Sequence, residues 1–486
     1  MLSCSLTEHI MASRSCSPRH RQRVGSMEEP LWTNVKLVIG MVIPPIIVRA
    51  HPSFKGNSRL LDLARRSMTV MGLVVLLLLA FPSAVFAEEM LLPPQTRIPR
   101  DLFGMHFHRL GTTTTFPHVP IGAWRLHDAY VDWPRLEPER GRWDFKRLDG
   151  YVDLAQRQGL PLLLPLEFSP SWASSRPQEK SDYAPGFAAP PRDMDDWRAY
   201  VRAVAERYKG RIRYYEMWNE PNLPGFFTGT PTQLVTLAAE AWKIIKEVDP
   251  ASLVVSPSIT GSRGVAWLDR YLEAGGGKYA DIIGYHFYVN PAEPEQMLPM
   301  MESVKTVLAR HGMSAKPLWN TETGWAIAGF QKPVSPASGK GFNSIVLSPS
   351  QASAYLLRTY VLSWAAGVAR LYWYAWDSAM MGLVEADGKT PKATALAYGV
   401  VQDWLVGARM LSCAKDPDGT WIAELARPEK GRAWIVWNPG RTSNFVPPKG
   451  WNIRATRDLS GAMLSIRAGQ AVVVDSMPVL LEAGEE

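Results

Sequence analysis

Cysteine is scarce in this 486-residue chain: Cys4, Cys16 and Cys413 are the three present. Only Cys413 lies beyond residue 87, so the region able to pack as a globular body has no pair to join by an internal disulfide. A body without disulfides must hold together on apolar burial alone, which this length allows. A lone thiol with no base near it in sequence also offers little as a nucleophile. A charge excess of one sign is lacking too. Ten Lys/Arg against four Asp/Glu in residues 1–87 carry +6 of the formal +7, which leaves 88–486 close to neutral. That balance gives no electrostatic case for nucleic acid as a partner. Also missing is an apolar run of the ~20 residues that a membrane span needs.

The run that comes nearest, Val70 to Phe81, belongs to "ARRSMTVMGLVVLLLLAFPSAVFA" (64–87). Arg65 and Arg66 precede it, and small residues at Ala84 and Ala87 follow. This is the order of a secretory signal, read here as cleaved; an uncleaved N-terminal anchor is the alternative. Met68 or Met71 would be a natural start for such a signal. Residues 1–87 are therefore set aside as an N-terminal extension and signal peptide. Export without disulfides suits a periplasmic or secreted protein.

From residue 88 the pattern becomes regular. Eight short apolar runs have strand character: 103–108, 123–128, 161–168, 213–220, 252–259, 281–288, 316–325 and 369–378. Amphipathic stretches separate most of them, at 145–158, 193–208, 231–248, 265–275, 295–311 and 350–366, and another follows at 392–405. Near-continuous apolar strands belong to a buried parallel sheet. Eight of them alternating with helices predict an α/β fold, a (β/α)8 TIM barrel over 88–406. The segment "RLGTTTTFPHVPIG" (109–122) has no helical period, so the first crossover helix is expected to be absent or very short. After Gly407 the pattern turns to alternation punctuated by glycine and proline. Residues 407–486 are expected to form a small C-terminal antiparallel β-sandwich domain, with a strand contributed from 88–100. The chain is expected to be a monomer.

Reactive groups of such a barrel stand at the C-terminal ends of its strands. His106 and His108 lie there on the first strand, and Arg125, His127 and Asp128 on the second. Glu167 ends the third; Asn219 and Glu220 end the fourth. His286 and Tyr288 end the sixth, Glu322 the seventh, and Trp376 and Asp377 the eighth. Glu220 and Glu322 sit in aromatic sequence on strands that face each other across a closed barrel. Two carboxylates across a cleft can hydrolyse a glycosidic bond, one protonated to release the leaving oxygen and one ionised to attack or steer water. Arg125 could hold one of them ionised. Trp172, Phe226, Phe227, Trp325, Tyr374 and Trp376 fall on the same predicted face, as sugar-stacking platforms or as core.

The motif "WNEPN" (218–222), with Glu322 in "NTETGW" (320–325), resembles the clan A retaining glycosidases. With "WRLHDAYVDWPRLEPERGRWDFKRLDGYVDLAQRQGLPLLLPL" (124–166) it is similar to glycoside hydrolase family 39, over about residues 100 to 480. That family includes β-xylosidases, α-iduronidases and bacterial endoglycosidases of exopolysaccharide loci. The resemblance implies Glu220 as general acid/base and Glu322 as nucleophile. It implies Asn219 on the sugar 2-hydroxyl and Arg125 near the nucleophile. His286 and Tyr288 would orient the acids, and Trp376 would floor the cleaved sugar's subsite, with Trp373 as the other strand-eight choice. His106 and His108 are expected to meet sugar hydroxyls, and Trp172, Trp325 and Phe226 to line subsites.

The expectation is thus a retaining glycosidase, endo-acting on a polysaccharide or oligosaccharide of bacterial exopolysaccharide or plant type. It requires no cofactor or metal, and meets a membrane only through its leader. Two rivals stand beside it. One is a metal-dependent amidohydrolase-like barrel using His106, His108, His286 and Asp377. The other is a non-catalytic carbohydrate-binding barrel.

Overall fold

The computed structural model describes residues 89–329, 345–467 and 469–484. The signal-like stretch 64–87 lies outside the described residues. Among those described, no helix is long and apolar enough to cross a membrane.

Eight parallel strands close a barrel. They are β1 (Phe103–His106), β2 (Ala123–Arg125), β3 (Leu162–Leu166), β4 (Tyr214–Met217), β5, β6 (Ile283–His286), β7 (Leu318–Thr323) and β8 (Val368–Trp373). β5 comes in two pieces, Leu253–Val255 on β4 and Ile259–Thr260 on β6. Pro257, with no N–H to give a ladder, sits in the break. Bridges from Val255 to Ile282 and from Asn219 to Ser258 carry the ring across it.

Helices cover the outside: α1 (Trp133–Leu136), α2 (Lys146–Gln158), α3 (Met194–Arg207), α4 (Pro231–Val248), α5 (Gly261–Glu273), α6 (Met297–Arg310), α7 (Pro349–Ala365) and α8 (Ala393–Leu405). α4 and α7 open with full capping boxes, Thr230 with Gln233 and Ser348 with Gln351, each with proline at the first position. Residues 109–122 form turns and an isolated bridge, Leu110 to Thr114, in place of a first crossover helix. Their Thr- and Pro-rich composition supplies no apolar stripe to dock one.

Period-two alternation sorts each strand between barrel interior and helix layer. Ala123, Leu163, Tyr214, Val255, Trp319 and Tyr372, one from each of six strands, form an apolar layer inside the barrel with Ile282, which directly precedes β6. Two residues further along, the interior turns polar, with Arg125 on β2 and Glu216 on β4, both fully buried.

The second sheet is antiparallel. Its order runs Glu89–Leu91, β9 (Arg409–Lys415), β10 (Trp421–Arg427), β11 (Gly431–Trp437), Val479–Ala483, Ile453–Arg457 and Met463–Ser465. A second antiparallel pair joins Ser443–Phe445 to Val472–Val474. The strand expected within 88–100 is Glu89–Leu91, whose Leu91 pairs with Cys413. The Trp437 indole N–H donates to Glu295 at 2.7 Å, and Arg358 of α7 binds Glu293 and Glu295. These contacts fix the sheet against the barrel's helices.

Candidate active site

Two local irregularities bring the carboxylates together. In β4, Glu216 points inward two residues after Tyr214. The alternation then breaks at Trp218 and Glu220, whose φ angles are 80° and 44°. Such left-handed backbone is costly for non-glycine residues and persists only where its surroundings enforce it. Here the Glu220 N–H donates to the Ser258 carbonyl at 2.8 Å, and the Leu223 N–H donates to the Glu220 carbonyl at 2.9 Å. Trp218 packs outward on Phe227, while Asn219 and Glu220 stay with the mouth. In β7 the pairing runs Leu371 with Asn320, then Trp373 with Thr323, so Thr321 and Glu322 together oppose one residue of β8. This bulge lets both point inward: Thr321 donates to the Ser258 hydroxyl at 2.6 Å, and Glu322 meets Arg125.

Arg125 is the hub. Its Nε and Nη2 donate to Glu216 at 2.7 and 2.8 Å, Nη2 also to the Asn219 side-chain oxygen at 2.7 Å, and Nη1 to Glu322 at 2.8 Å. The other Glu322 oxygen accepts from the Tyr288 hydroxyl at 2.9 Å. Glu220 contacts His286 Nδ1 at 2.8 Å. Glu220, His286 and Glu322 each bring an oxygen or nitrogen within 4.8 Å of the others. Because Asn219 gives its oxygen to Arg125, its buried Nδ2 is left without a partner among the described residues, as is Nε2 of His286.

Burial raises both Glu220 and Glu322 above the ordinary carboxylate range. Two carboxylates this close resist holding two charges, and their partners decide which keeps its proton. Glu322 takes direct hydrogen bonds from a guanidinium and a phenol, which favour its ionised form. Glu220 faces His286, whose own value burial pushes down to about 3, so that the imidazole is neutral at pH 7. The shared proton therefore belongs on Glu220. Arg125 stays charged: burial opposes its charge, but Glu216, ahead of Glu322, outweighs it.

The other expected residues divide. Tyr288, His286, Asn219 and Arg125 converge on the acids. Phe226 is half-buried at the mouth, its ring 6.4 Å from His127 and 5.8 Å from Tyr183. His108 is half-buried with its ring 5.0 Å from Tyr374. His106 does not present itself to sugar hydroxyls: it is fully buried, with Nε2 3.3 Å from Arg125 Nη1. Trp325 is core rather than subsite, fully buried between Tyr355 and Trp373 with its N–H on the Ala292 carbonyl. Trp376 packs beside Phe107 and is 4% exposed, so it floors no open subsite. Tyr372 lies inside the barrel and Trp373 outside, and the strand-eight aromatic at the mouth is Tyr374. Trp172 donates to the Glu137 carbonyl at 2.9 Å and packs on Trp133, with Arg140 over its face. Its neighbours are these, not the carboxylates.

The rival metal set does not assemble. Asp377 accepts from the backbone N–H groups of His108 and Arg109 and from the Thr114 hydroxyl, while His106 turns to Arg125. Glu220, His286 and Glu322 have the spacing of a ligand trio, but the Arg125 cation already sits on Glu322.

Glu216 and Tyr183 had no signal at the level of motif, whereas Asp128 was expected at the end of the second strand. Glu216 lies inside a strand and not at its end, and only its two-residue offset from Tyr214 marks it as inward. Asp128 and Tyr183 meet through a loop closure. The Tyr183 hydroxyl donates to Asp128 at 2.6 Å, as does that of Tyr374.

A closed barrel with paired buried carboxylates at its mouth, one held by an arginine, defines the class. Residues 110–329 match the family model for glycosyl hydrolases family 39. A β-xylosidase of Geobacillus stearothermophilus is 25% identical over 235 residues, 42% of this chain and 45% of that protein. A β-xylosidase of Caldicellulosiruptor saccharolyticus is 28% identical over 151 residues, 29% of this chain and 30% of that one. The chain thus spans less than half the length of the curated relatives it matches. Among solved structures, a family 39 glycoside hydrolase from Bacteroides cellulosilyticus superposes with a TM-score of 0.61 at 19% identity, covering 79% of this chain and 81% of that one. A family 39 β-xylosidase from Caulobacter crescentus gives 0.56 at 16% identity, covering 82% and 98%. Over residues 110–329 the chain is thus similar to glycosyl hydrolases family 39.

Proposed function

We propose that this protein is a retaining glycosidase that works by double displacement. One observation carries the reading: Glu220 and Glu322 place oxygens within 4.8 Å of each other, and only Glu322 is held by a cation. Retaining enzymes keep their carboxyl groups ~5–5.5 Å apart, whereas inverting enzymes leave ~6.5–9.5 Å for a water. Glu322 attacks the anomeric carbon as Glu220 passes its proton to the leaving oxygen. Glu220, now ionised, then takes a proton from the water that releases the sugar from Glu322. Asn219, with its unpartnered Nδ2, donates to the sugar 2-hydroxyl; Arg125 and Tyr288 hold Glu322 in place, and His286 holds Glu220.

The substrate in this reading is a polysaccharide or oligosaccharide, of bacterial exopolysaccharide or plant type, cut at internal bonds. Half-buried Phe226 and exposed Tyr183, packed together beside His127, support a mouth that accepts a chain, and the β-xylosidase relatives make xylose-containing glycans the first to try. Trp325 and Trp376 lend that reading nothing. Product chain lengths test it: mixed oligomers indicate internal cleavage, and monosaccharide alone indicates terminal cleavage. We further read the protein as an exported monomer, periplasmic or secreted, with 64–87 as its signal; N-terminal sequencing of the exported protein tests this.

For the chemistry, Glu322→Ala should abolish turnover of activated aryl glycosides. Glu220→Ala should keep its first step on leaving groups that need no proton, and azide should restore its turnover. Wild-type activity in both variants would refute the assignment.

A further inference from the structure

Glu220 and Glu322 are joined at the mouth by a third carboxylate, Asp128, which the double displacement does not use. The side chains of Glu220 and Glu322 are 10% and 9% exposed, and that of Asp128 is 24% exposed. Glu167 and Glu216, the other acids of the network, are 3% and 0% exposed. Asp128 is thus the most open acid of this group.

It is also held firmly. Its backbone is left-handed, with φ at 56°, an uncommon conformation for a residue other than glycine. One carboxylate oxygen accepts from Tyr183, out of the loop between β3 and α3, and the other from Tyr374, at the end of β8, both at 2.6 Å. The His127 imidazole lies 3.7 Å behind it and is itself bound to Glu167 at 2.9 Å. Burial opposes the charge on His127, but Glu167 and Asp128 outweigh it and hold the ring cationic, up to about 10. The same cation and the two hydroxyls keep Asp128 ionised. Tyr374 links this clamp to the acids: its ring is 5.2 Å from that of His106, which contacts Arg125.

A carboxylate accepts about four hydrogen bonds. The two phenols take one on each oxygen, so each retains capacity toward the mouth. An ionised acceptor with fixed orientation suits sugar hydroxyls, which donate, and opposes a sugar carboxylate, which brings a second negative charge and no donor. We propose that Asp128 is a specificity-determining residue: it accepts hydroxyl hydrogens from a neutral sugar ring at the mouth and excludes uronic acids. This rests on the glycosidase reading above and adds the substrate class.

The test compares aryl glycosides of neutral sugars (xyloside, glucoside, galactoside and mannoside, both anomers) with the matching glucuronides, on wild type and Asp128→Asn. The amide keeps the shape and one acceptor but loses the charge. Wild type should favour the neutral series. Asp128→Asn should lose about tenfold or more in kcat/KM on the best neutral substrate, mainly through KM, while its relative kcat/KM for the glucuronide rises. Tyr183→Phe, which frees one Asp128 oxygen but leaves the charge, should keep the discrimination against glucuronides. Equal use of glucuronides by wild type would overturn the inference, as would an equal loss on both series in Asp128→Asn. Either result leaves the glycosidase reading intact. Wild-type turnover in Glu322→Ala would overturn the glycosidase reading instead.

Discussion

At the residue scale the site depends on the division of one guanidinium. Arg125 binds Glu216 with two nitrogens and reaches Glu322 with a third. Glu216 fixes the plane of the fork, and the plane fixes where Glu322 can sit. Lysine has no such fork. Arg125→Lys should therefore weaken a charge-assisted hydrogen bond worth ~1.5–3 kcal/mol, lowering kcat/KM by about 10- to 100-fold. Arg125 lowers the Glu322 pKa, so weakening the contact lets Glu322 protonate at higher pH. The acid limb of the pH–rate profile should then move up, and an unmoved limb would separate Arg125 from Glu322. The two acids, Asn219 and Arg125 were legible in the sequence because they sit in motifs at strand ends. Glu216 was not, because nothing in "YYEMWNE" distinguishes a carboxylate inside a strand from one at its mouth until the inward register of Tyr214 is known. The tryptophans misled for a related reason. Trp325 and Trp376 lie next to chemistry in sequence, but their side chains fall on the opposite side of the backbone.

At the element scale, strand and helix positions followed closely from periodicity. The β5 break and the β7 bulge did not, because each depends on the neighbouring strand's register. The break places Ser258 where it accepts from Thr321 and, by its backbone, anchors Glu220. Gly284 on β6 faces this packing: a Cβ there would lie 2.4 Å from Ser258 Oγ and 3.0 Å from Val255 Cγ1. Gly284→Ala should destabilise the protein by ~1–3 kcal/mol through overpacking. It should also disturb His286, two residues on. A lower denaturant midpoint at unchanged slope checks the first effect, and an unchanged midpoint would show that the interior can yield there.

At the scale of the whole molecule, buried charge ties stability to pH. The folded-state pKa of His286 is depressed to about 3 by burial, from an ordinary value near ~6.5. Between those values the unfolded chain binds a proton that the folded protein does not, so stability falls as pH drops through that window. Glutamine cannot titrate. Wild type should therefore lose melting temperature relative to His286→Gln as pH falls from about 6.5 toward 4, and a gap independent of pH would contradict the neutral assignment. Retention is a property of the whole reaction, since it requires both acids, their spacing and the position of the shared proton. Proton NMR of a glycan digest, recorded before mutarotation, reports the anomer released first. The carboxylate pair within 4.8 Å predicts that the new reducing end appears with the anomeric configuration of the bond cleaved. First appearance of the opposite anomer would contradict it.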